Sequence, residues 1–142
     1  MFSLADYHFF HPVEVRYADI DAQRHLNNAE YFTYMEQARV KYLQNLGLWN
    51  GKDFGALGII LVEASCAYKA PVAFGQTLNV AVRIGRLGNK SFELFYSLQD
   101  AKTGEEMAGG RTVQVAYDYS VGQSIPIPEQ WRLAFRSFER LA

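Results

Sequence analysis

One cysteine, Cys66, and four prolines are all that this 142-residue chain has of either residue. A lone cysteine closes no internal disulfide, so the fold has no covalent framework. Its setting, ILVEASCAY, reads as a buried strand in which the thiol packs as a small apolar side chain, with no base beside it to make a nucleophile. No window reaches the 18 or so apolar residues of a membrane span, and MFSLADYHFF lacks the basic start of a secretory leader. A reducing cytoplasm is the expected location. An excess of one charge is missing too: fourteen Lys plus Arg against fifteen Asp plus Glu leave a formal net charge of -1. That balance supplies no field for nucleic acid or an anionic membrane. The patterns GxxxxGK[ST], GxGxxG and GxSxG are absent, so nucleotide hydrolysis, dinucleotide redox and serine esterase chemistry have no motif behind them. His8 and His11 lack neighbouring ligands, and no metal is expected.

What the chain does have is apolar material, 49% hydrophobic and 15% aromatic, enough for one core spanning residues 1–142 as a single domain. HPVEVRY alternates, with Val13, Val15 and Tyr17 on one face, and predicts a first strand. A long helix is predicted from Asn27 or Asn28 to a stop at Gly47. Tyr31, Met35, Ala38, Tyr42 and Leu46 share its apolar face, widened through Phe32 and Leu43. Arg39 falls in that sector with Glu36 one turn away, which predicts a partly buried ion pair. From Leu57 the chain is strand-like, with turns at Gly88–Asn89 and Ala101–Glu105 that predict an antiparallel meander. Pro126 and Pro128 precede EQWRLAFRSFERL, a short C-terminal helix. A long helix with one apolar face needs a sheet to cover it, so the expected class is α+β, with a curled antiparallel sheet wrapped around one helix. Strands apolar on both faces, such as GIILV, point to a second subunit.

Chemistry concentrates between Arg16 and Gly47. Asp19, Asp21, His25, Asn27 and Asn28 crowd just ahead of a helix N-terminus, whose unpaired N–H groups suit a developing negative charge. A carboxylate beside such donors suggests acyl-transfer hydrolysis.

The pattern Y-A-D-x-D-A-x-x-H-x-N-N-A-x-Y, followed by E-x-A-R, resembles the hotdog-fold acyl-CoA thioesterases of the 4-hydroxybenzoyl-CoA thioesterase type. Tyr68, Pro71, Gly75, Gly88, Ser91 and Gly104 also fall where that family tends to carry such residues. The resemblance implies a hotdog fold, homodimers or homotetramers, and hydrolysis of an acyl-CoA with no cofactor beyond the coenzyme A of the substrate. It makes Asp21, the second acid of D-x-D, the catalytic aspartate and Asp19 a supporting residue. Many relatives have glycine just before the histidine, where this chain has Arg24. Either the loop takes a different path, or Arg24 points to solvent or meets a CoA phosphate.

The expected catalytic set is Asp21, His25 and Asn27. Asp21 acts as nucleophile or as general base on water, and the residues leave both open. His25 either holds Asp21 or the carbonyl, or satisfies backbone groups. Asn27 and Asn28 suit capping within reach of the same carbonyl. Amides from Asn28 through Ala29 to Glu30 would polarise the thioester, with Tyr31 beside them. Lys69, Arg83, Arg86, Lys90 and Ser91 are candidate contacts to CoA phosphates, with the Arg86–Ser91 turn the most attractive segment. Tyr31, Tyr34, Trp49, Phe54 and Leu57 are candidates for an acyl or aryl tunnel. Two rivals stand beside hydrolysis: a hotdog-fold hydratase or dehydratase, and a non-catalytic module that binds an acyl thioester.

Overall fold

The computed structural model describes residues 2–141. Strand β1 (Phe9–Glu14) is followed by helix α1 (Glu30–Asn45), then by β2 (Ile59–Tyr68), β3 (Thr77–Leu87), β4 (Ser91–Asp100) and β5 (Glu106–Asp118). A two-residue β6 (Gln123–Ser124) and helix α2 (Glu129–Glu139) complete the chain. The antiparallel sheet runs β1-β3-β4-β5-β2, with β6 paired to β5. This is the curled sheet of the hotdog fold, wrapped around α1.

Period-two patterning decides which side chains reach the helix. Leu78, Val80, Val82 and Ile84 of β3 pair with Asp100, Leu98, Tyr96 and Leu94 of β4, and the apolar members are fully or almost fully buried. Tyr31, Tyr34, Met35, Ala38, Tyr42 and Leu43 of α1 close that core. Helix and sheet approach closely at Gly110, where a Cβ would collide with Met35 Sδ. Gly47, just beyond the helix end, sits at φ 76° and accepts the left-handed turn. Helix α2 inserts Phe135 between Phe92 and Tyr42. Among the described residues no helix is long and apolar enough to cross a membrane.

The ILVEASCAY segment, expected as a buried strand, is largely exposed along β2, the uncovered edge of the sheet, and two expected boundaries move. Tyr17 is 83% exposed rather than on the inner face of the first strand, because Glu14 ends β1 and a 3-10 turn over Tyr17–Asp19 follows. Helix α1 begins at Glu30 rather than at Asn27 or Asn28. The expected partly buried ion pair forms between Arg39, only 6% exposed, and exposed Glu36 at 3.8 Å, and Arg39 also donates to Tyr96 Oη at 3.2 Å.

Candidate functional site

An isolated bridge between Ile20 and Leu26 closes a tight hairpin ahead of α1. Inside it the Arg24 N–H donates to Asp21 O at 3.0 Å and the Asp21 N–H to His25 O at 2.9 Å. Such a loop is a turn followed by one left-handed residue, and Arg24 occupies that place at φ 68°. Glycine would sit there freely; a side chain costs about 1 kcal/mol or more. The chain therefore keeps the path a glycine would take and carries the strain. The Arg24 side chain is exposed, with no ion pair among the described residues.

The two acids of the hairpin region differ sharply. Asp19 is buried at 1% exposure, and its carboxylate accepts from Arg16 N–H, Nε and Nη2 and from Tyr34 Oη, the last at 2.6 Å. The Arg16 guanidinium is the main reason its carboxyl is held down to about 2. Burial and the same hydrogen bond push the Tyr34 phenol well above its ordinary range. Every good position around Asp19 is occupied, which makes it an anchor between the loop and α1. Asp21 is only half-buried, and its Oδ1 accepts the amides of Gln23 at 2.9 Å and His25 at 3.3 Å. Among the described residues no donor reaches its Oδ2. An oriented carboxylate with one free oxygen is able to attack a carbon or take a proton from water.

The helix start supplies donors. Ala29 N–H goes to Asn27 Oδ1 at 2.9 Å and Glu30 N–H to Asn27 O at 2.9 Å. The expected amides of Ala29 and Glu30 are thus used locally, and those of Asn28 and Tyr31 are left without an acceptor among the described residues. Asn27 uses its side chain in this turn. Asp21, His25, Asn28, Tyr31 and Lys69 line one cleft of about 350 Å³, walled by Tyr68 and Pro71. Tyr68 ties β2 to the helix start, donating from Oη to Asn28 O at 3.0 Å and meeting the Tyr31 ring edge-on at 4.8 Å. Cys66, half-buried behind them, has its thiol pushed up by burial to about 11 and stays protonated.

Other expected members lie apart. Arg86, Lys90 and Ser91 flank the β3–β4 turn, at the opposite end of β3 from Thr77, which pairs with Glu14 near the hairpin. Ten residue steps of strand are roughly 30 Å. Trp49, Phe54 and Leu57 line a separate hollow of about 570 Å³ against the outer side of α1, away from Tyr31 and Tyr34. Lys69 is paired with Glu106. Tyr34 as partner of Asp19 escaped the sequence reading, although its spacing from Tyr31 and Ala38 puts it on the buried face. No group of three or more His, Cys, Asp or Glu among the described residues is placed to hold a metal.

The PA5185 protein of Pseudomonas aeruginosa, 32% identical, superposes with a TM-score of 0.82 over 94% of this chain and 92% of that one. A thioesterase from Thermus thermophilus, solved with coenzyme A and Zn, is 28% identical with a TM-score of 0.82 over 94% and 95% of the two chains. The long-chain acyl-CoA thioesterase FadM of Escherichia coli is 22% identical over 84% of this chain and 91% of its own length. The thioesterase-like superfamily model matches residues 15–135, which take in the hairpin, α1, the whole meander and the first half of α2, and the chain belongs to that superfamily.

Proposed function

We propose that this thioester hydrolase cleaves a fatty or aryl acyl-CoA to the free acid and coenzyme A, with Asp21 as the reacting carboxylate. The observation that carries the reading is the free Oδ2 of an otherwise oriented Asp21, in one cleft with the unpaired amides of Asn28 and Tyr31. Those amides lie at the positive end of α1 and stabilise the oxyanion formed as the carbonyl is attacked. Attack by Oδ2 breaks the C–S bond, releases the CoA thiolate and leaves a mixed anhydride that water opens. In the general-base form Asp21 takes a proton from the attacking water and the same bond breaks. A thiolate needs no strong acid to leave. His25 contributes its backbone to the orientation of Asp21 and its exposed ring to the cleft wall.

A homodimer through the free edge of β2 supports the same site. Leu61, Val62 and Tyr68 are exposed there at 46%, 57% and 43%, more apolar surface than a solvent-facing edge strand keeps. Antiparallel pairing of two such edges brings the Arg86–Ser91 turn of the second copy toward the end of the sheet that carries Asp21.

The test is thiol release from a panel of fatty and aryl acyl-CoAs. Asp21→Asn is expected to lower kcat at least about a hundredfold. Retained turnover would remove Asp21 from the chemistry. Enoyl absorbance changes without thiol release would favour the hydratase, and saturable binding without either would favour the binding module.

A further inference from the structure

A second cleft shares Asp21, and no other lining residue, with the first. It holds about 460 Å³ and is lined by Tyr17, Ile20, Asp21, Arg24 and Phe74. Two aromatic rings meet there at the surface: Tyr17 and Phe74 are edge-to-face at 6.1 Å and 88°, and are 83% and 60% exposed. Exposed aromatics this large normally find cover. Beside them stands Arg24, a guanidinium with no carboxylate partner among the described residues, on backbone strained to keep it there. A flat ring face, a ring edge and an available cation fit a planar aromatic base tethered to an anion.

We infer that Tyr17, Phe74 and Arg24 hold the nucleotide end of the substrate, the adenine against the ring pair and a phosphate on the guanidinium. The inference rests on the thioesterase reading above. Exposure favours the nucleotide over the acyl group. An acyl chain gains by leaving water, which an 83% exposed tyrosine does not provide, whereas a nucleobase stacks productively on a surface aromatic. The position also suits the chemistry, since the substrate then enters across Asp21 from one cleft into the other. Arg86 and Lys90, at the far end of their own sheet, are the competing phosphate site.

The experiment compares each acyl group carried on full coenzyme A and on N-acetylcysteamine, which has the thioester but no nucleotide. Arg24→Gly relieves the positive-φ strain, so the variant is expected to fold at least as well as the parent, with a KM for acyl-CoA raised about tenfold. Its kinetics on the N-acetylcysteamine thioester should be unchanged. Tyr17→Ala and Phe74→Ala should behave alike, and calorimetry with coenzyme A itself should report weaker binding in all three. Equal losses on both carriers would assign the cleft to the acyl group and overturn the inference. So would a KM that responds to Arg86→Ala with Lys90→Ala but not to Arg24→Gly, or a changed oligomeric mass with unchanged KM. If no thioester is hydrolysed by the parent, the enzymatic reading fails, and coenzyme A titration of the parent and of Arg24→Gly still decides the subsite.

Discussion

Asp19 and Asp21 carry the same group two residues apart and end in opposite conditions, because one meets Arg16 and Tyr34 and the other meets only backbone amides. The depressed carboxyl of Asp19 stabilises the fold above its unfolded value near 3.8, and that contribution is lost as pH falls through about 2. Its size is on the order of 2 kcal/mol before water around exposed Arg16 screens it. Urea midpoints measured from pH 5 to pH 2 should therefore fall less steeply in Asp19→Asn than in the parent. Tyr34→Phe should cost about 2 kcal/mol, the worth of one hydrogen bond to a charged group. Asp21→Asn should stay within about 1 kcal/mol of the parent, since an amide oxygen still accepts from Gln23 and His25. The D-x-D pattern was legible in the sequence. The resemblance already set Asp21 apart from Asp19; the physical reason was not legible, because Tyr34 reaches Asp19 only once α1 has docked.

At the level of elements, the meander β3–β4–β5 follows directly from alternation and turn residues, and helix α2 from its aromatic spacing behind Pro126 and Pro128. The partner of β2 does not follow. It crosses the molecule to pair with β5 instead of its neighbour in sequence, since strand periodicity says which face is buried and nothing about which edge is met. Close contact between α1 and the sheet depends on Gly110; Gly110→Val forces Met35 aside, and a loss of at least about 2 kcal/mol is expected in thermal or urea unfolding. Helix α2 is held at both ends of its apolar face. Phe135 packs on Phe92 and Tyr42, and buried Glu139 accepts from Tyr42 Oη at 2.6 Å and from the Ile84 amide at 3.2 Å. Phe135→Ala should cost about 3–5 kcal/mol, read as a lowered melting temperature.

For the whole molecule, the exposed apolar edge of β2 is the surface on which the proposed dimer rests. Val62→Lys puts a charge into the proposed strand pairing, and sedimentation should show a monomer with reduced turnover. A monomeric variant that keeps its activity would confine the site to one chain, and a variant that keeps its mass would remove the β2 edge from the interface. Apolar periodicity, helix-stop glycine and the crowding of Asp19, Asp21, His25 and the asparagines were readable along the chain because each is a local pattern, set by neighbours within a few residues. The choice of which carboxylate keeps a free oxygen, the use of Asn27 to consume two helix amides, the exposure of Tyr17 beside Phe74 and the crossing of β2 all belong to the folded chain. Contacts formed as loop, helix and sheet dock on one another set them, and no periodicity encodes them.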